Sequence, residues 1–499
     1  MKTILRLLFT FTGFPFTVGR WQLTIASLLL VSVASQAQTS YSLQQAIEYA
    51  LQNSTTVKNA QLDIETANAR IGETRATGLP QISGQVQLQH NFRIQQSILD
   101  GRASSPFTSF ASSSDPLAQH IYDQLKKNGT VTEYIPAPQA PPNLDTVYHF
   151  AFGLKNNAGV SVTASQLIFS GSYFVGLQAA KAYRKFSDKS LNSAKITVVE
   201  NVTKAYYGVL VNQEQYDLVK VNVDRIEKLL NETREFNKNG FVEKIDVDRI
   251  EVQANNLKVQ LQNIERSLNL TTNALKFQMN MPLNENIVLT EKLADLTNTT
   301  FTPVATETVN YDQRIEYTLL QQQKELNLLD LKNIQAGRYP TLAASFTTGY
   351  NPAATRLKDI TQSNRWLNYS FLAFQLNVPI FSGFGKNYQA QQKKIAVKKT
   401  ENDITQLKRA VDFQVQQSNV TLQNALESLK MQKRNLDLAQ EIVRVTRIKY
   451  QQGVGSNIEV INAEASLKEA QTNYYAALYD ALIAKVDLDK ATGDLYKVQ

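Results

Sequence analysis

Ile168-Phe169-Ser170-Gly171 and its recurrence, Ile380-Phe381-Ser382-Gly383, mark two repeats within this 499-residue chain. A second signature, Gly240-x4-Ile245-Asp246-Val247-x3-Glu251, recurs as Gly453-x4-Ile458-Glu459-Val460-x3-Glu464. Counted from glycine to glycine, the two signatures lie 69 residues apart in the first copy and 70 in the second, and a proline (Pro80, Pro340) precedes each copy. Repetition at this spacing predicts one structural unit that is built twice.

The N-terminus has the layout of a secretory signal peptide. Basic residues precede an apolar run from Trp21 to Val33, and small residues follow at Ser35 and Ala37. A retained anchor helix is the alternative. The predicted organisation is a signal peptide over residues 1–37, a first structural repeat over 38–300 and a second over 301–499.

Composition argues against an enzyme and against a nucleic-acid-binding protein. The chain has no cysteine and three histidines, and no repeated cluster of Asp, Glu and His has the spacing of metal ligands. The formal net charge is +8, and part of it lies in the predicted signal peptide, so no basic block remains for nucleic acid. We expect no catalytic site, no metal and no cofactor, and we expect Glu251 and Glu464 to be exposed residues on helix surfaces.

Each repeat contains a segment that is typical of a very long helix. There is no proline between Gly171 and Gly240, and neither proline nor glycine between residues 386 and 452. Apolar residues recur in both segments at spacings of three, four or seven, which indicates helices of roughly 100 Å that pack along narrow stripes. A tight turn at Gly240 and at Gly453, followed by a returning helix, predicts two long antiparallel hairpins. An ordinary coiled coil would explain the same periodicity.

Four segments alternate between apolar and polar residues, as strands with one apolar face and one solvent-exposed polar face do. Segments of about 9 to 11 residues suit tilted strands that cross an outer membrane, although a soluble sandwich would alternate in the same way. Four strands cannot close a membrane barrel, and an open edge is not tolerated in lipid, so a spanning chain must oligomerise. The connection over residues 95–145 is predicted to be an external loop. The four segments are 82–93, 150–164, 342–350 and 372–378.

The order of these features resembles the TolC-type outer-membrane efflux family over essentially the whole mature chain. The motifs that carry the resemblance are Tyr41-Ser42-Leu43, Pro379-Ile380-Phe381-Ser382-Gly383 and Tyr450-x2-Gly453-x4-Ile458-Glu459-Val460. The resemblance implies a mainly α fold with transmembrane β structure. Specifically, it implies a homotrimer with a 12-stranded β-barrel, four strands per chain, continued by a long periplasmic α-helical barrel.

The same resemblance implies a function and a set of partners. The protein would be an outer-membrane exit duct that extends into the periplasm and serves a tripartite efflux or type I secretion system. It would conduct substrate passively from an inner-membrane pump and a periplasmic adaptor, contact outer-membrane lipid and need no cofactor. A periplasmic coiled-coil adaptor or structural protein is the alternative. The adaptor would dock on the hairpin tips, at Gly240, Phe241, Val242, Gly453, Val454 and Gly455.

The resemblance also implies a gate at the periplasmic end. A tyrosine that bonds a carboxylate would fall on Tyr450 and Asp246, and two inward rings would fall on Glu459 and Asn462. The residues themselves leave alternatives open. In these, Tyr450 simply ends the apolar stripe, Asp246 is a solvated acid at a helix N-terminus, and Glu459 is a capping-region residue that faces solvent. The family's arginine two residues after the second tip glycine is absent, because Gly455 stands there.

Overall fold

The computed structural model describes residues 39–100, 147–151, 154–293 and 309–496, together with positions 120, 123, 124 and 127. The predicted signal peptide and most of the predicted external loop lie outside these residues. The chain divides into two compact units, and each unit draws segments from both predicted repeats. The first unit comprises Met1–Thr55, Thr197–Val304 and Asn419–Leu488, and the second comprises Thr56–Ile196, Ala305–Ser418 and Asp489–Gln499.

Two long helices dominate the secondary structure, as the absence of proline predicts. They are α3, with 68 residues, and α6, with 67 residues. Each is followed by a returning helix, so α3 with α4 forms the first hairpin and α6 with α7 forms the second. The helices are α1 Leu43–Asn53, α2 Thr55–Ala76, α3 Gly171–Lys238, α4 Lys244–Gln278, α5 Ile315–Ala336, α6 Gly385–Gln451 and α7 Asn457–Thr492.

None of the helices in the described part of the chain is long and apolar enough to span a membrane.

The main sheet is antiparallel, lies in the second unit and has the strand order β2-β5-β7-β9, with the short β8 also paired to β5. A second sheet pairs β3 with β4, and in the first unit β1 pairs in parallel with β6. The strands are β1 Thr39–Tyr41, β2 Gln81–His90, β3 Gln96–Asp100, β4 Val147–Ala151, β5 Asn156–Phe169, β6 Ile287–Leu289, β7 Thr341–Tyr350, β8 Ala353–Ala354 and β9 Asn368–Asn377.

The main sheet has one apolar face, as the sequence alternation predicts. One row of neighbouring residues across the four strands reads Ile82, Ala164, Phe346 and Leu372. Because successive side chains point to opposite sides of a strand, the next row lies on the other face, and it reads Gln81, Ser165, Ser345 and Ala373. The apolar face is solvent-accessible in the single chain; Ile82 is 75% exposed and Leu372 is 62% exposed.

The prediction of one strand over residues 150–164 is wrong. Phe150 belongs to β4, which ends at Ala151, while β5 begins at Asn156 and continues to Phe169. At the start of β5 the buried Asn156 bonds His90 Nδ1 at 2.7 Å through Oδ1 and donates to Thr355 O at 2.9 Å through Nδ2. Alternation alone cannot detect this break, because the apolar positions keep the same parity on both sides of it.

Candidate functional site at the hairpin tips

Both hairpin tips, which lie in the first unit, have the same backbone geometry. Gly240 and Gly453 have φ angles of +75° and +72°, in the left-handed region that glycine adopts without strain. The amide of the next residue donates to a carbonyl five residues back, from Phe241 to Phe236 O at 2.9 Å and from Val454 to Lys449 O at 3.0 Å. This is the Schellman ending of a helix, which satisfies carbonyls that the helix itself leaves unpaired, and it confirms the predicted glycine turns.

An apolar residue follows each tip glycine and points outward. Phe241 is 79% exposed and Val454 is 77% exposed, whereas Val242 is half-buried. Gly455 is closely packed, because a Cβ there would lie 3.0 Å from Lys449 Cβ and 3.1 Å from Tyr450 N. The position that carries an arginine in the implied gate therefore has no room for a side chain unless the end of α6 shifts.

Tyr450 contacts the first hairpin through Thr233. The two hydroxyl oxygens are 3.3 Å apart, and the fully buried Thr233 already donates to Leu229 O at 2.9 Å. The phenol must therefore donate to Thr233, and its ring packs against an apolar cluster that includes Ile226, Leu230 and Val460.

Asp246 is bound to the second hairpin by a different residue, Asn457. Asn457 Nδ2 donates to Asp246 O at 2.9 Å and to Oδ1 at 3.4 Å, and Arg249 lies 3.7 Å from the same carboxylate. Both predicted latch residues thus connect the two hairpins, but the structure forms no hydrogen bond between Tyr450 and Asp246 themselves. Their direct pairing stays a prediction.

The two predicted ring residues, Glu459 and Asn462, lie on the first turns of α7 and are both exposed. The helix starts after Ser456, whose hydroxyl accepts from the Glu459 amide at 3.4 Å. Glu459 therefore occupies the capping region while its side chain stays in solvent. Because a ring requires several chains around one axis, the ring role of both residues stays a prediction.

Glu464 was predicted to be an exposed helix residue, and this is wrong. It is 7% exposed and lies 3.4 Å from Arg225 of α3. The Arg225 guanidinium also donates to Asn222 Oδ1 at 2.7 Å, and Asn222 Nδ2 donates to Gln471 Oε1 at 2.7 Å. We call Asn222, Arg225, Glu464 and Gln471 the inter-hairpin network. No sequence signal distinguished Glu464 from Glu251, because burial here depends on which helix lies opposite.

The electrostatics of Glu464 combine opposing effects. Burial raises the pKa of its carboxyl, while the neighbouring Arg225 and Arg447 act in the opposite direction. Removing a carboxylate from water is unfavourable, so a buried ion pair adds little net stability, but deleting one partner is strongly destabilising. The network is therefore better suited to fixing how the hairpins pair than to stabilising the fold.

Among the described residues there is no group of three or more His, Cys, Asp or Glu side chains that would hold a metal ion.

Comparison with known proteins supports the resemblance to outer-membrane efflux proteins. A family model described as outer membrane efflux protein matches residues 321–494. The outer membrane protein TolC of Vibrio cholerae is 20% identical over 68% of this chain and 77% of its own length, and that of Escherichia coli is 24% identical over 70% and 72%. The crystal structure of the Campylobacter jejuni CmeC outer membrane channel superimposes with a TM-score of 0.66, covering 97% of this chain and 95% of that one at 14% identity.

These relatives are outer-membrane channel proteins, and the sheet with one apolar face and the long helical hairpins of this chain agree with their fold. Residues 321–494 of this chain match the outer membrane efflux protein family, and the resemblance to TolC-type proteins is confirmed.

Proposed function

We propose that three copies of this chain form an outer-membrane exit duct of a tripartite efflux or type I secretion system. The duct conducts substrate passively from an inner-membrane pump and a periplasmic adaptor to the exterior. The observation that carries the proposal is the four-stranded sheet, which has one apolar face and two long unpaired edges, β2 and β9. Such edges cannot remain open in lipid, and pairing them between copies removes them.

The repeat supplies the register of that pairing. Aligning Pro80 with Pro340 superimposes β2 on β7, and aligning Ile168 with Ile380 superimposes β5 on β9. Under this alignment the two hairpins of the sheet have the same register, because the pair Gln81↔Ser165 in β2–β5 corresponds to the pair Thr341↔Asn377 in β7–β9.

The contact between the two sheet hairpins, β5 with β7, is therefore a template for the contact between chains. Its pair Thr163↔Thr347, with hydroxyl oxygens 2.9 Å apart, corresponds to Gln375 on β9 and Gln87 on β2. We infer that Gln375 of one chain lies opposite Gln87 of the next.

The lengths of β5 and β9 also indicate that β9 pairs with a strand of another chain. β5 runs 14 residues to Phe169 beside β7, whereas β9 ends after ten residues, at Asn377, and has no partner on its outer edge. Ile380 and Phe381, which correspond to Ile168 and Phe169, are 94% and 75% exposed. An added β2 would extend β9 through these residues.

The expected result of a disulfide test follows from this register. The chain has no native cysteine, so no other thiol can form a competing disulfide in the double variant Gln87→Cys with Gln375→Cys. We expect it to form covalent trimers in oxidised outer membranes, because directly opposite residues satisfy disulfide geometry. Within one chain, β2 and β9 are three strand spacings apart, about 14 Å, which is too far for an internal bond. Non-reducing electrophoresis measures the product.

Two neighbouring glutamines on β2 provide matched controls. Gln85→Cys or Gln89→Cys, each combined with Gln375→Cys, moves the thiol about 7 Å along the strand and is expected to cross-link poorly. Thr163→Cys with Thr347→Cys is the positive control for oxidation within one chain. Stronger linkage at Gln85 or Gln89 in a trimer would refute the register. A soluble monomeric protein would refute the exit duct itself.

The adaptor is expected to meet the tips, where Phe241 and Val454 are the exposed apolar residues beside the tip glycines. The gate is expected to lie in the same region, because Tyr450 and Asp246 both bind the opposite hairpin there.

The gating role of Tyr450 gives a prediction. Tyr450→Phe removes the hydroxyl that donates to Thr233, a bond of about 1 kcal/mol net, so the ratio of open to closed channels should rise about fivefold. Single-channel recording in planar bilayers measures this ratio. Thr233→Ser keeps a hydroxyl at the contact and should behave as the wild type. Unchanged gating in Tyr450→Phe would exclude the phenol from the latch.

A further inference from the structure

We propose that the inter-hairpin network of Asn222, Arg225, Glu464 and Gln471 is a second latch, set back from the tips, that holds the periplasmic end closed. The inference rests on the proposed exit duct and assigns the closure to specific residues of this chain. It concerns Glu464, which the sequence predicted to lie on the surface, and three side chains that no motif marked.

The network is a continuous chain of bonds between α3 and α7. Asn222 and Gln471 are each 4% exposed and bonded to each other, and Arg225 joins Asn222 to Glu464. Each of these side chains has a partner, so the polar groups are satisfied only while the two helices stay together. Separating the helices would break two contacts, Asn222 with Gln471 and Arg225 with Glu464, and a partial separation would leave buried polar groups without partners.

Because the chain contains an internal repeat, the network positions can be compared with their equivalents on α4 and α6. In the first hairpin, the equivalent glutamate, Glu251, pairs at 2.8 Å with Arg234, and both side chains are more than two-fifths exposed. In the second hairpin, the position equivalent to Arg225 is Leu438, which is 54% exposed. The buried network is therefore absent at the equivalent positions of α4 and α6, all of which the structure describes, and it is not a general consequence of hairpin geometry.

The position of the network suits a latch. Arg225 precedes its tip glycine by 15 residues and Glu464 follows its own by 11, while Asn222 and Gln471 are each 18 residues from theirs. The network therefore lies roughly 16 to 27 Å along the helices from the tips. At the tip itself, Gly455 offers no side chain for an ion pair. Closure in this chain therefore depends on contacts that lie deeper between the hairpins as well as on the Tyr450 hydroxyl near the tip.

The test compares two equivalent glutamates. Glu464→Gln keeps the side-chain shape but removes the charge that Arg225 binds, and we expect the open-state occupancy of trimeric channels in planar bilayers to rise about tenfold. Glu251→Gln, the matched change in the exposed pair, is expected to leave occupancy within about twofold of the wild type. Both variants should reach the outer membrane as trimers in wild-type amounts.

A second variant separates a specific latch from general loosening. Arg225→Met is expected to raise occupancy about tenfold to a hundredfold, since it strands a buried carboxylate. The double variant Arg225→Met with Glu464→Gln should be no more open than Arg225→Met alone, because both changes remove one shared contact. Wild-type gating in Glu464→Gln, equal effects of Glu464→Gln and Glu251→Gln, or fully additive effects would each overturn the latch. Wild-type trimers that form no pore would instead refute the exit duct.

Discussion

Replacing Arg314 with methionine is expected to lower the free energy of unfolding of the second unit by about 3–5 kcal/mol, the largest effect that we expect from a single substitution. The guanidinium is almost completely buried and donates from all three nitrogens: to Ala491 O at 2.6 Å, to Gln414 Oε1 at 3.1 Å and to Glu316 Oε2 at 3.1 Å. Ala491 lies in the last turn of α7, so Arg314 satisfies a carbonyl that the helix leaves unpaired.

The change removes the guanidinium donors and leaves the oxygens of Ala491, Gln414 and Glu316 without these hydrogen bonds. Thermal unfolding of the detergent-solubilised trimer would measure the loss. Hydrogen exchange should report faster opening at the C-terminal turns of α7, because local stability there depends on the same contact. Arg338→Met is the matched control: Arg338 is exposed and bonds Asn387 at 2.7 Å, so its loss should be small. Equal losses for the two arginines would contradict the capping role of Arg314.

Replacing Gly171 with alanine is expected to destabilise the chain by about 1–3 kcal/mol, although alanine is the better helix former. Gly171 is the first residue of α3, and a Cβ there would lie 2.8 Å from Ala336 O at the end of α5. That carbonyl belongs to the backbone, which cannot rotate away as a side chain can. In the first copy of the Ile-Phe-Ser-Gly signature, a side chain is disfavoured at the last position because two helix ends approach closely there.

The matched control for Gly171 is another glycine in a helix. Gly72 lies in α2, and a Cβ there would meet nothing within 4 Å. Gly72→Ala should therefore stabilise the chain by about 0.5–1 kcal/mol through helix propensity alone. Thermal unfolding of both variants should give shifts of opposite sign. A stabilising effect of Gly171→Ala would show that α3 and α5 can separate at this point without loss.

Features that depend on local periodicity were predictable. Helices α3 and α6 follow from long segments without proline, and the glycine turns at Gly240 and Gly453 follow from the need for positive φ. The apolar face of the main sheet follows from alternation. The pairing of β3 with β4 and the break before Asn156 were not predicted, because the same alternation continues across the break.

The site was predictable only in part, because the partners of its residues come from distant parts of the chain. Family resemblance placed Tyr450 and Asp246 at the boundary between the hairpins, and both do contact the opposite hairpin. Their partners, Thr233 and Asn457, lie in positions that no motif marked. Equivalent sequence positions need not have equivalent surroundings, as the exposed Glu251 and the buried Glu464 demonstrate.

The amino-acid sequence by itself determined the duplicated architecture, the long helices, the turns and the two-faced strands, because each depends on residues near one another in the chain. Only the tertiary structure decided which polar side chains meet between hairpins, how closely Gly171 and Gly455 are packed against neighbouring atoms, and how Arg314 caps α7. Those outcomes depend on contacts between residues far apart in sequence. Whether a polar side chain is buried there depends on which face of its helix lies against a neighbouring helix.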